Sequence, residues 1–483
     1  MKPMTVKDLL KVTGGTLLSG ASSACVSGVV TDSREAYPGA LYVPIVGENN
    51  DGHAFIEGAL GNGASATLTA KTEAFEAFQK AHPENAEASQ TGEPSETPAF
   101  ILVEDTEKAL QKIAMAARLQ MPMKAVGITG SVGKTTTREM VAAALSAEKT
   151  VDKTGKNYNN RFGLPLTLCG LNPEADIAVL ELGMNVRGEL GTISALCNLD
   201  AAVITNIGVA HIEYYGTQDE ITKEKFTVTR GFMPDGREKM LFLNADDPYL
   251  MKYKKACGYP YILYGTDKDA DYSVRNIHTA NGRFAYDLYV HGEYRLSSDL
   301  AVLGRHNVLN AAAALAVADY FGIDLLKAAA SLSEFRGFNK RLERIEHKGY
   351  LIIDDTYNAS PSSMKAGLDV LEDLSFGASD AKKYAVLGDM FELGDNAKGF
   401  HYAVGEYAAG KAFDVLYTVG VNALEIERAL KEKGGTQETK HFPNRQALSK
   451  ALLENLKPGD IVYIKASHGM MLGEVTEALL KDE

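Results

Sequence analysis

The stretch KAVGITGSVGKTTTREMVAAALSAE, residues 124–148, decides how the rest of this chain is read. It begins with a short, largely apolar run containing β-branched residues, AVGIT, the composition of a buried strand. It ends in a pattern whose apolar residues Met140, Val141, Ala144 and Leu145 share one helical face. Between them lies GSVGKTT. In the order strand, loop, helix, such a segment suits an anion. Glycines let the backbone approach closely, and successive N–H groups and the helix N-terminus point at negative charge. Lys134 adds a mobile cation, and Thr135 or Thr136 offers a hydroxyl to magnesium. The expected phosphate contacts are therefore Thr129, Gly130, Ser131, Val132, Gly133, Lys134, Thr135 and Thr136.

The spacing departs from G-x-x-x-x-G-K-[ST]: Ile128 stands where the first glycine would be, and Gly130 lies two residues nearer the lysine. The flanking strand and helix favour phosphate binding over a chance match. A guanine-reading N-K-x-D is missing, since the one Asn-Lys pair, Asn339-Lys340, continues Arg341-Leu342. A transport or motor ATPase stays open, because a phosphate loop names no reaction.

Outward from this stretch, DIAVLEL (176–182), AAVITNI (201–207) and KMLFLN (239–244) read as buried strands, and HNVLNAAAALAVADYFG (306–322) as a long helix stopped by Gly322. Before it, VSGVVTDSR (26–34) and GALYVPIVG (39–47) alternate with the helical HAFIEGALGNGA (53–64), after a short N-terminal helix capped by Thr5 and stopped by Gly14. HPENAEASQTGEPSETP (82–98) is too polar for a core and reads as an exposed loop. After it, YLIIDDTYNASP (350–361), KKYAVLGDM (382–390), DVLYTVG (414–420) and DIVYIKASHG (460–469) read as strands entering loops. The expected fold is α/β with three domains: a smaller N-terminal α/β domain (1–122), a central P-loop doubly wound parallel sheet (123–337) and a C-terminal Rossmann-like domain (338–483).

The chain has 483 residues and a formal net charge of −13, which argues against nucleic acid as a partner. A nucleotide's phosphates must then be held locally, by backbone N–H groups, a few cations and metal. Four widely spaced cysteines, Cys25, Cys169, Cys197 and Cys257, form no C-x-x-C pair and read as small buried residues in a reducing compartment. No run approaches the ~20 apolar residues of a membrane span. The expected location is cytoplasmic.

Open α/β sheets place ligands at the carboxyl ends of their strands. Glu181 ends one strand there, as a hard oxygen donor suited to magnesium. His211 follows another strand and reads as a ligand or near-ligand. Lys225, fourteen residues on within ITKEKFTVTRGF, reads as solvated, and periodicity does not separate it from Lys223.

These features together resemble the Mur ligase family, which builds the peptide stem of bacterial peptidoglycan. The resemblance spans nearly the whole chain outside 82–98. It is carried by TDSR (31–34), GENNDGHAF (47–55), GITGSVGKTTT (127–137), NYNNRFGLPLTL (157–168), ELGMN (181–185), ITNIGVAHIEYYG (204–216), NADDP (244–248), GRHNVLNAAAA (304–314), DDTYNASPSSM (354–364) and LGDMFELG (387–394). NYNNRFGLPLTL with ELGMN points to the branch that adds the terminal dipeptide.

The resemblance implies an ATP-dependent amide-forming ligase acting through an acyl phosphate. Its substrates would be UDP-N-acetylmuramoyl-tripeptide and D-alanyl-D-alanine, with two Mg2+ ions, and the family is expected to be monomeric. Thr135, Glu181, His211 and a carbamylated Lys225 would serve the metal. Lys134, Glu181, His211 and Lys225 would be catalytic. Asn307, Arg341, Asp355 and Asn358 would meet the nucleotide. Ser33, Arg34, Asp51, Gly52 and His53 would meet the UDP-muramoyl part, and Asn157, Asn159 and Asn160 would lie between the substrates. Two departures stand out: KASHGMM (465–471) has Ala466 and His468 where K-G-S-R is usual, and Arg161 replaces a common acidic residue. The rivals are a related ligase adding one amino acid to the stem or glutamate to folate, and a nucleotide-binding regulator that ligates nothing.

Overall fold

A computed structural model describes residues 1–47, 50–83, 97–155, 157–280, 283–377 and 381–481. Most of the polar loop expected at 82–98 therefore lies outside the described residues. The chain forms two compact units. One comprises Met1–Gly127, Lys149–Ala202 and Thr227–Lys239; the other comprises Ile128–Glu148, Val203–Phe226 and Met240–Glu483.

In the first unit a five-stranded sheet runs in the order Thr16–Ser19, Ala99–Leu102, Ala66–Thr69, Ala40–Tyr42, Gly28–Val30. Only the first pairing is antiparallel. A core of Val30, Tyr42, Ile56, Phe78 and Phe100 covers one side. The N-terminal helix Val6–Thr13 is capped as its sequence suggests. Thr5 and Asp8 form a reciprocal box, and Gly14, at φ 75°, closes the other end. Val151–Lys153 also pairs in parallel with Ile177–Glu181 here.

The second unit holds a six-stranded sheet in the order Glu343–His347, Tyr350–Asp354, Ile461–Lys465, Lys383–Gly388, Val415–Val419, Glu438–Phe442. All pairings but the first are parallel. Period-two alternation sends Leu351, Ile353 and Leu387 to one core and Ile352, Val386 and Val462 to the other. Both faces are therefore buried, which explains why these strands read as unbroken apolar runs.

The same unit contains a part that the strand-and-helix reading missed. Tyr272–Ala280, Arg283–Val290 and Glu293–Leu300 form antiparallel ribbons, and the edge strand Glu343–His347 is antiparallel too. Arg283–Val290 alternates half-buried and buried residues without a break. The two-residue period was in the sequence, but polar positions between its apolar ones hid it. The cysteines also need correcting. Cys169 and Cys197 are buried, whereas Cys25 is exposed and Cys257 only partly covered. Among the described residues, no helix is long and apolar enough to cross a membrane.

Candidate active site

The strand Lys124–Thr129 leads through residues 130–133 into the helix Lys134–Leu145. Gly130, at φ 150°, and Gly133, at φ 85°, take conformations that side chains rarely adopt. A Cβ on Gly130 would overlap the Thr205 hydroxyl. The loop is held from behind by residues 205–208. Thr205 N–H donates to Thr129 O (2.9 Å) and Ser131 N–H to Asn206 O (3.0 Å). Thr205 Oγ1 and Asn206 Nδ2 both donate to Val132 O (2.7 and 2.9 Å), and Asn206 Oδ1 accepts from Val132 N–H (3.0 Å). Gly208 N–H donates to Ser131 Oγ (2.8 Å). Lys134 Nζ lies over the loop, donating to Gly130 O (2.8 Å) and Ser131 O (3.4 Å).

Behind the helix, Thr137 Oγ1 donates to Asn310 Oδ1 (3.1 Å), and Asn310 Nδ2 donates to Asn307 Oδ1 (2.9 Å). Asn307 is buried and also donates to Leu303 O (2.6 Å). The resemblance implies Asn307 near the nucleotide; in the fold its amide bonds Leu303 O and Asn310, and Asn310 in turn braces the helix His306–Tyr320 against the loop helix. Thr136 is partly covered in the same first turn.

From the C-terminal segment, Arg341 donates to Thr135 Oγ1 (2.9 Å) and stacks over the Tyr357 ring at 3.9 Å. Beyond it, Asp355 is buried and bonded on several sides. Lys465 Nζ donates to its carboxylate (2.6 Å) and to Asn358 O (2.9 Å), and Tyr463 OH donates to Asp355 Oδ2 (3.2 Å). Burial, and then the charge of Asp355, push the Tyr463 hydroxyl well above its usual range. Asn358 turns the chain into the helix Pro361–Asp373, which Ser360 caps. Lys465, Tyr463 and Tyr357 were not anticipated as parts of this cluster. The apolar run DIVYIK gave no sign that two of its residues carry polar work.

Lys225 corrects the sequence reading. It is only 1% exposed, whereas the Lys223 side chain is 57% exposed and pairs with Glu220. Both belong to the helix Gln218–Phe226, whose two residues of separation turn them to different sides. Burial, and next the positive charge of Lys134, push the Lys225 ammonium well below its usual range. Its amine is thereby disposed to be neutral and nucleophilic.

His211 lies at φ 61° before the short helix Ile212–Tyr215. Its Nδ1 stands 2.6 Å from Glu392 Oε2, an ion-pair contact whose angle is poor for a hydrogen bond. Contact with His211 holds the Glu392 carboxyl below its usual range.

In the other unit, Glu181 is buried at its strand end and accepts from Asn159 Nδ2 (2.8 Å), while its N–H donates to Thr154 Oγ1 (2.9 Å). Asn159 O accepts from Gly183 N–H (2.7 Å). The ELGMN and NYNN segments are thus clasped together. Asn160 Oδ1 accepts from Phe162 and Gly163 N–H groups (3.1 and 2.9 Å), starting the helix Gly163–Gly170; Asn157 is exposed. Arg161 approaches Glu107 at 3.7 Å. Asp32 caps the turn Ser33–Glu35 and pairs with the exposed Arg34. Asp51 bonds Lys71 and the His53 ring (2.7 Å to Nδ1), whose Nε2 accepts from Ala70 N–H (3.0 Å). A Cβ on Gly52 would press on Ile45 backbone. Among the described residues, no three His, Cys, Asp or Glu side chains form a ready-made metal cage.

Comparison with known proteins places these segments in order. Residues 26–118 match the Mur ligase family catalytic domain, 128–318 the Mur ligase middle domain and 340–468 the Mur ligase glutamate ligase domain. The UDP-N-acetylmuramoyl-tripeptide–D-alanyl-D-alanine ligase of Bacillus subtilis is 36% identical over 482 residues, covering 99% of this chain and 98% of its own. The Escherichia coli protein of that name is 31% identical over 99% of each chain. Among solved structures, MurF from Acinetobacter baumannii superposes with TM-score 0.86 at 27% identity over 100% of both chains. MurF from Thermotoga maritima, solved in complex with ADP, gives 0.77 at 27% identity over 94% of this chain and 97% of its own.

Proposed function

This chain belongs to the Mur ligase family, and from that premise we propose that it joins D-alanyl-D-alanine to UDP-N-acetylmuramoyl-tripeptide at the expense of ATP. The product is the pentapeptide precursor of peptidoglycan. The observation that carries the reading is the end-to-end likeness to ligases of that name, and the loop at 130–135 supplies the chemistry.

In this reading ATP phosphorylates the terminal carboxylate of the tripeptide. The dipeptide's amine attacks the acyl phosphate, a tetrahedral intermediate forms, and phosphate leaves. Loop N–H groups and Lys134 hold the nucleotide's phosphates and offset charge during transfer. Arg341 keeps the Thr135 hydroxyl oriented. Asp355 and Asn358, fixed by Lys465, face the nucleotide from the C-terminal segment. The functional division is 1–122 for the UDP-muramoyl part, 123–337 for ATP and 338–483 for closure. Ser33, Arg34 and the 51–53 loop serve the first, and Asn157, Asn159 and Asn160 lie between the substrates. A monomer in the cytoplasm is the accompanying expectation.

The donors suit magnesium. Glu181 and Thr135 offer hard oxygens, and magnesium commonly takes only one or two protein carboxylates besides phosphates and waters. That habit fits a site without a ready-made cage. When bound, the metal supplies Lewis-acid neutralisation of phosphate charge. By the family resemblance His211 would join these donors, and Lys225 fits carbamylation. Burial disfavours the ammonium form, which favours addition of carbon dioxide to the amine, and the resulting carbamate is an anionic oxygen donor where an ammonium is none.

Phosphate release from ATP should rise when UDP-tripeptide and dipeptide are both present, and a nucleotide-binding regulator would show no such rise. Lys225→Ala should abolish release while leaving UDP-substrate binding intact; near-parental activity would end the carbamate proposal.

A further inference from the structure

We propose that Glu392 is a positioning residue for His211, fixing the orientation and tautomer of its ring so that Nε2 is the working nitrogen. The two residues lie 181 positions apart in sequence, yet Glu392 Oε2 stands 2.6 Å from His211 Nδ1. Both take left-handed backbone conformations, φ 60° and φ 61°. For residues other than glycine this costs roughly 1 kcal/mol or more each and persists only where neighbours enforce it.

The neighbours of Glu392 do enforce it. Met390 N–H donates to the buried His401 Nε2 (2.9 Å), and Phe391 N–H donates to Ser467 Oγ (2.9 Å). Ser467 N–H donates to Asp389 O (3.0 Å), while the Asp389 carboxylate accepts from Val421 and Ala423 N–H groups (3.0 and 2.7 Å). His401 is anchored in turn to Ala397 O (2.7 Å). Two residues on, Gly394 packs so closely that a Cβ there would meet Glu213 Cβ at 3.2 Å, which brings the turn down onto the His211 segment.

A half-exposed ion pair is worth only about 0–1 kcal/mol by itself. That does not offset two strained residues, so fold stability does not account for the arrangement. A carboxylate 2.6 Å from Nδ1 favours the ring proton on that nitrogen by charge alone, even where the angle of the contact is poor, and leaves the Nε2 lone pair facing away, much as outer carboxylates orient liganding histidines.

The tautomer and stability arms of the test stand without the ligase reading; the magnesium arm rests on it. The parent, Glu392→Gly and Glu392→Gln are compared. Ring-15N-histidine NMR at pH 8 without nucleotide reports the tautomer, with the His211 signal assigned by its loss in His211→Asn. In the parent His211 carries its proton on Nδ1. In Glu392→Gly the signal moves toward the Nε2-protonated form, and Tm holds or rises because glycine relieves the positive φ. The magnesium concentration for half-maximal phosphate release rises about tenfold, the usual size of such outer-partner losses, with KM for the UDP-substrate unchanged. Glu392→Gln, whose amide oxygen still accepts, falls between the two. A His211 tautomer unchanged in Glu392→Gly overturns the proposal. So does a parallel fall of Tm and every kinetic parameter. If the parent shows no ligation at all, the NMR and Tm arms still decide.

Discussion

The loop at 130–135 and the loop at 51–53 both pair glycine with a charged residue, but they are braced in opposite ways. In the first, the backbone is gripped from behind by Thr205 and Asn206, Gly208 N–H holds the Ser131 hydroxyl, and the lysine side chain lies over the loop's own carbonyls. In the second, side chains grip one another: Asp51 holds Lys71 and His53, and His53 spends its second nitrogen on Ala70. A loop braced through its backbone keeps its lysine side chain for a ligand, while Asn206 takes up the Ser131 and Val132 N–H groups. A loop braced through its side chains has committed them to the fold. Short polar motifs of similar appearance can therefore differ in whether their named residues are available.

That contrast can be broken by substitution. Lys134→Ala should lower kcat/KM by about 10³-fold, the upper scale for removing a charge-stabilising donor, with Tm nearly unchanged. Steady-state kinetics and a melting curve would check both. Gly130→Ala should instead strike the fold. The φ of 150° and the overlap with Thr205 predict a loss of about 3 kcal/mol by denaturant unfolding. His53→Ala should cost about 2 kcal/mol of stability by leaving the Ala70 N–H without a partner and taking the ring contact from Asp51. The KM for the UDP-substrate should change little. A large KM rise with stability intact would mean the 51–53 loop is a contact surface after all, and the contrast would fail.

The smallest effect, per unit of pH, concerns the protonation of Lys225. Its folded-state pKa is depressed, so below its ordinary value the unfolded chain binds the extra proton. Stability should therefore rise with pH, from the lowered pKa up to the ordinary lysine value, by at most about 1.4 kcal/mol per pH unit. Lys225→Met should flatten that part of the stability profile. An unchanged slope would mean that the buried amine is not neutral.

The parallel strands and the phosphate loop were legible because a strand buried on both faces must be apolar and a tight anion loop must carry glycine. The ribbons at 272–300 were not, because one wet face dilutes the apolar pattern. Lys225 was hidden for a different reason. Periodicity did not separate it from Lys223, since nothing in ITKEKFTVTRGF marks which helix face is buried, and lysine is so rarely buried that composition argued for solvent. The bond of Asp355 to Lys465 and the ion-pair contact of His211 with Glu392 join residues more than a hundred positions apart. No local pattern carries such a pairing, and only the folded chain displays it.

The most direct test is the identity of the product. The purified protein is incubated with UDP-N-acetylmuramoyl-tripeptide, ATP, magnesium and D-alanyl-D-alanine, and the mixture is read by mass spectrometry. The account predicts a UDP-linked pentapeptide together with ADP and phosphate. No pentapeptide, but a product formed with a single free amino acid, would contradict it.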